Sequence, residues 1–386
     1  MRRLTLLLTA GIAALAPILL AQSTGPYKVL KTARVGGEGG TDYISADTVG
    51  RRLYITRGAT QAREATATTP AVPAFEKRLT IFDLDTLEPV GVIPGVGGNG
   101  AAVCPKTGHG FTSDHPQPSM FDVKTMKLIK TIEVPERFSA DGIYCDTSSD
   151  RVYIGSHPTK SLLVVDARDG AVLGHVDLGG TPEQTIGDDK GTIYQVLQER
   201  PGSVAVVDAK TMKVTATYPF GDNGGCNGLA LDVKNQILFA ACSVVGPPGT
   251  PNPTEPGAKP PQTFVILSAK DGKILERLPL AGSSDGAAFN PATMEAFSTQ
   301  GNGTMTIVKE KSPTSFEVEQ DLKTWPSNGA RTIAFDSKTG HLFAMASEVG
   351  PPPPPPPAGT PPPAGGRGAG RGAAIPGSFT IIMVGK

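Results

Sequence analysis

The chain has 386 residues, 39% hydrophobic and 19% charged, and its 36 Lys and Arg balance 36 Asp and Glu. That neutrality removes the electrostatic argument for nucleic acid or an anionic membrane, because both reward a basic surface. With 47 Gly and 36 Pro, long helices break too often for a bundle, while the apolar content is too high for a disordered or collagenous chain.

At the start, Arg2 and Arg3 precede an apolar run, 4–20, that ends at Ala21. A basic, then apolar, then small-residue order predicts a cleaved secretory signal peptide over 1–21 and a single working domain over 22–386. Thr5 and Pro17 interrupt the run, which falls short of the roughly 20 apolar residues of a stable membrane anchor. Export implies a periplasmic or secreted protein, where cysteines pair. The four present, Cys104, Cys145, Cys226 and Cys242, form no CxxC or CxxCH, so zinc ribbons, thioredoxin chemistry and covalent haem have no foothold.

One unit then recurs along the chain: a polar residue, a short apolar strand, a turn, and an aromatic residue 12 positions on. The pairs are Asp42 and Tyr54, Asn99 and Phe111, Asp141 and Tyr153, Pro182 and Tyr194, Asn227 and Phe239, Asp285 and Phe297, and Arg331 and Phe343, with starts 41 to 58 residues apart. That spacing fits propeller blades with occasional insertions. Each unit's second half supplies two more strands, such as 79–83 and 89–93, or 162–166 and 171–176, joined by Asp-x-x-Thr or Asp-Gly turns. The prediction is an all-β, seven-bladed β-propeller with four-stranded antiparallel blades. A lone strand at 379–384 and another at 27–35 would pair in the last blade and close the ring, removing an exposed edge. A hairpin turning near 233–236 sets Cys226 opposite Cys242 and predicts a disulfide. Cys104 and Cys145 lie in the first strands of neighbouring units, where a second bond is an alternative to free thiols.

The repeated Val-x-Val-Asp-x-x-Thr and the Asp-Gly-(small)-x-x-Asp/Asn units, at 161–170, 203–214, 141–146 and 285–290, resemble YVTN-repeat, YncE-like β-propellers. The resemblance covers about 26–386. It implies a seven-bladed propeller in an exported bacterial protein. It leaves activity open, because the wider seven-bladed group includes lactonase-like hydrolases and plain binding proteins. Units six and seven depart from the pattern, with Lys309 and Val384 where the repeat Asp is expected.

On this topology Asp42, Asn99, Asp141, Glu183 (one residue past Pro182), Asn227, Asp285 and Arg331 ring the mouth of the central channel. Four acids against one Arg give that ring a net charge of −3. Converging oxygen ligands suit a hard divalent cation such as Ca²⁺; the structural alternative has Arg331 bridging Asp285 and Asp42 while the rest bond water and loop amides. Four residues past the aromatic landmark sit His115 and His157, each followed by Pro. With Asp141 or Asp114 nearby, either histidine could bind a transition metal or act as acid and base. Equally, a duplicated repeat can carry a His-Pro turn for loop shape alone. The loops 58–78, 246–262 and 350–377 are expanded and rich in Pro and Gly, as lids, docking arms or tolerated insertions. Gly95 to Gly100 matches G-x-G-x-x-G without the helix a dinucleotide site needs. No G-x-S-x-G occurs, and adjacent Ser113, Asp114 and His115 cannot form a relay.

The functional expectation is a monomeric exported propeller that binds a protein, peptide or small-molecule ligand at the channel mouth. The alternative is a metal-dependent hydrolase resembling propeller lactonases. There a divalent ion held by mouth residues polarises an ester carbonyl, and His115 or His157 moves the proton.

Overall fold

The computed structural model describes residues 25–65, 71–134, 137–245, 262–326, 329–351 and 374–386. The segment 1–21, expected to be a signal peptide, and parts of the three expanded loops lie outside the described residues. Seven four-stranded antiparallel sheets form, with no helix among the described residues. The innermost strands are Ile44–Asp47, Ala101–Cys104, Ala140–Asp146, Pro182–Gly187, Asn223–Asp232, Ser284–Asn290 and Arg331–Phe335. Each packs against the first strand of the next blade, and that of blade seven returns to blade one. Blade seven is assembled from both ends of the chain. Thr380–Gly385 is its third strand, and Lys28–Arg34 pairs with it as the outermost.

The outer hairpins follow from side-chain chemistry that competes with the strand ladder. In the Asp-x-x-Thr turns a carboxylate oxygen of Asp83 accepts from the amides of Asp85 and Thr86 and from the Thr86 hydroxyl, at 2.7 to 3.0 Å. Asp122 with Thr125 and Asp208 with Thr211 repeat the contact. These donors hold Asp83, Asp122 and Asp208 below the usual carboxylate range, the threonine amide contributing most. The next residue, Leu87, Met126 or Met212, takes a left-handed φ of 54° to 61°. A register shift in the adjoining strands absorbs it.

The core is distributed. Seven apolar clusters fill the seven spaces between neighbouring blades. The aromatic landmarks Tyr54, Phe111, Tyr153, Tyr194, Phe239, Phe297 and Phe343 are all buried there. Burying one such side chain stabilises by about 1.5–3 kcal/mol, so each blade is secured mainly by its neighbours. Two disulfides add covalent ties: Cys104–Cys145 links blades two and three, and Cys226–Cys242 crosses one hairpin of blade five at register partners. Both are consistent with an oxidising compartment. No helix among the described residues is long and apolar enough to cross a membrane.

Candidate functional site

The residue after each ring position decides how closely the first strands approach. In blade order it is Tyr43, Gly100, Gly142, Gln184, Gly228, Gly286 and Thr332. A Cβ on Gly142 would lie 2.7 Å from the Glu183 carbonyl oxygen, and one on Gly228 would lie 2.6 Å from the Gly286 carbonyl carbon. The glycines therefore let neighbouring backbones touch and leave space along the axis. Two large side chains use that space. Tyr43 lies over Gly100 and donates its hydroxyl to Glu183 Oε2 of blade four at 3.2 Å. Gln184 donates to the Ala287 carbonyl at 2.9 Å and accepts from the amides of Leu229 and Ala287 at 3.0 Å, joining blades four, five and six. Together they span the bore. Beyond them a cavity of about 560 Å³ is walled by first-strand residues such as Ala46, Ala102, Ile143, Ile186, Ala288 and Ile333.

Around this floor the ring residues divide into three groups. In the first, Asn99 Nδ2 donates to Asp141 Oδ1 at 2.8 Å, leaving Asp141 Oδ2 2.8 Å from His157 Nε2. The same nitrogen is 3.8 Å from Glu183 Oε1. Asp141 and Glu183 are buried at 5% and 3% exposure, whereas the His157 side chain keeps 38%. The contact with Asp141 raises the pKa of His157 despite its burial, with the charges of Asp141 and Glu183 adding to it. Burial, then Asp141, Glu183, Asp42 and Asp285, push the Tyr43 phenol well above its ordinary value, so it stays a neutral donor.

In the second group Arg331 pairs with Asp285 across blades seven and six, its Nη2 donating to Oδ1 at 2.9 Å while Nε stands 2.8 Å from Oδ2. The third is a cavity of about 490 Å³ lined by Asp42, Lys77, Asn99, Asp114, His115 and Arg331. Here Asp114 is fully engaged: Lys77 and the Gly97 amide donate to one oxygen at 2.9 and 3.0 Å, and the His115 amide donates to the other at 2.7 Å. Gly98, at φ +107°, permits this packing, since a Cβ there would sit 2.2 Å from the Ser113 carbonyl oxygen.

His115 is thus placed apart from His157. It stands exposed at the rim of the cup, while Glu183 occupies the third position beside Asp141 and His157. Asn227 is buried inside the extended first strand of blade five rather than at its start. Tyr43 and Gln184 were not among the residues singled out from sequence. The signal for them was the bulky side chain standing where four of seven blades carry glycine.

No protein-family model matches the chain, and no curated protein matches it. Its fold is similar to those of many solved structures. One is a chain of "Kuenenia stuttgartiensis Hydrazine Synthase", with TM-score 0.63 and 14% identity over 86% of this chain and 96% of that one. Another belongs to "Crystal Structure of Mitotic Checkpoint Complex", with TM-score 0.64 and 12% identity over 90% of this chain and 96% of that one. At such identities the likeness speaks for the fold alone, and the fold is the seven-bladed β-propeller.

Proposed function

We propose that the protein is an exported binding module that takes a ligand carrying a positively charged group into the cup at the channel mouth. The observation that carries this reading is the acidic excess at the channel mouth. Asp42, Asp141, Glu183 and Asp285 stand against Arg331 and the single imidazole of His157, whose pKa they raise, and Tyr43 and Gln184 tie blades one, four, five and six together beneath them. An acidic concavity rewards a cationic head group, and the surrounding low-dielectric walls focus that field. The apolar run at the N-terminus, the two disulfides and the resemblance to YncE-like repeats support export to the periplasm or beyond. Residues in and beside two of the expanded loops, Thr60, Val72, Val349 and Ile375, line a cavity of about 800 Å³ together with Arg331 of the ring, which suits a peptide or protein partner.

Calorimetric titration with cationic, neutral and anionic tripeptides tests this. Only the cationic set should bind, more weakly in high salt, and Asp42→Asn should weaken it roughly 10-fold. Equal binding of anionic peptides, or an unchanged affinity in Asp42→Asn, would refute the reading. A second reading, metal-assisted hydrolysis of an ester or lactone, is favoured by one observation, the convergence of Asp141, His157 and Glu183.

A further inference from the structure

We infer that Asp141, His157 and Glu183 form a binding site for one first-row divalent cation, of the Zn²⁺ or Mn²⁺ type, on the blade-three side of the cup. The inference deepens the reading of the mouth as a ligand-binding face and rests on it. One ligand atom from each residue lies within 4.8 Å of the other two. His157 Nε2 is 2.8 Å from Asp141 Oδ2 and 3.8 Å from Glu183 Oε1. Around a tetrahedral ion with bonds of 2.0–2.1 Å, neighbouring ligand atoms sit about 3.3 Å apart, so small side-chain rotations bring all three to bonding distance.

The orientation of the donors is the second observation. Asp141 Oδ2 and His157 Nε2 are sealed from solvent, and neither meets an aligned hydrogen-bond partner, although they face each other within bonding range. Both atoms lie where Glu183 Oε1 also arrives, so the three donors converge on one point beneath the cup surface. The outer contacts are those a metal site uses to fix its ligands. Asn99 donates to Asp141 Oδ1, and Tyr43 donates to Glu183 Oε2. One imidazole nitrogen and two carboxylates suit zinc or manganese. Calcium and magnesium prefer all-oxygen shells with more ligands. The open edge of His157 leaves room on the cup side for a further ligand, water or a donor from the bound molecule.

The test is titration of the chelator-stripped full chain with ZnCl₂, MnCl₂ and CaCl₂ by calorimetry, together with X-ray absorption of the zinc-loaded protein. The inference expects one zinc per chain and a first shell of one imidazole and two carboxylates. Binding should be lost in His157→Ala and Glu183→Gln, weakened roughly 10-fold in Asn99→Ala, which touches the site through Asp141, and unchanged in Asp208→Asn in an outer hairpin turn. The absence of zinc or manganese binding would overturn it, leaving His157 as an imidazolium locked between two carboxylates. Binding that persists in His157→Ala, or a first shell without imidazole, would overturn it as well, and the spectrum decides this even where a variant folds poorly. The tripeptide titration separates the two claims. Peptide binding without metal binding sinks only the metal site, and metal binding without peptide binding sinks only the cationic-ligand reading.

Discussion

Blades two and three carry the same His-Pro dipeptide at the same offset from their aromatic landmark, and the two histidines have different surroundings. In blade two, His115 stands exposed while its neighbour Asp114 is taken up by Lys77, Gly97 and the His115 amide. In blade three, His157 turns onto its own blade's Asp141 and the next blade's Glu183. The corresponding residues for His115 are Asn99 and Asp141, and the Asn99 amide is itself committed to Asp141. The repeat supplies the dipeptide, and the ring residue of the histidine's own blade, an acid in blade three and an amide in blade two, is one difference between the two surroundings.

The largest effect expected on this comparison comes from the covalent tie between the two blades. Replacing both Cys104 and Cys145 with Ala opens a 41-residue separation and should cost about 4 kcal/mol, against about 3 kcal/mol for Cys226 and Cys242 at a separation of 16. Urea unfolding of the two double variants would rank them, and a reversed order would show that strain or residual structure outweighs loop entropy.

A buried carboxylate that faces another acid instead of a histidine also titrates upward, but because its neutral form is the favoured one. Burial, with the Asp232 charge opposing the Asn235 hydrogen bond, raises the pKa of Glu310 to about 7. Folding therefore favours its protonated form. Its contribution is present below the unfolded value near 4.5 and is lost as pH rises towards 7, by up to about 3 kcal/mol. Glu310→Gln should flatten that limb of the stability profile. An unchanged slope would remove Glu310 as its source.

Asp141→Asn should bring His157 back towards an ordinary imidazole pKa and leave His115 unmoved, as proton NMR titration of the two rings would record. Because the folded pKa of His157 is raised, its stabilisation is full below about pH 6.5 and disappears as pH rises through the folded value. The stability gap between wild type and Asp141→Asn should therefore shrink as pH rises above 6.5. With His157 more than a third exposed, the pair contributes no more than about 1 kcal/mol. A gap that widens with pH would contradict the pairing. At the small end, His115→Ala should change stability by less than about 0.5 kcal/mol, and a larger loss in thermal unfolding would mean that blade two uses its histidine after all.

The sequence by itself determined the architecture, because its information is local. A strand's alternation, an Asp-x-x-Thr turn and an aromatic residue 12 positions after a polar one all lie within one blade. Seven copies of such a blade with a strand left over at each end can close in one way. The disulfide of blade five was legible for the same reason, since Cys226 and Cys242 are partners within one hairpin. The ring of Asp42, Asn99, Asp141, Glu183, Asp285 and Arg331 could be named, but its pairing could not. Whether Arg331 takes Asp285, whether His157 rather than His115 meets two acids, and whether Tyr43 reaches Glu183 from three blades away are contacts between blades. They depend on how closely neighbouring first strands approach and how each blade is turned about the axis. That spacing is set by glycines such as Gly142 and Gly228 pressing on the next blade's backbone, and only the closed ring fixes it.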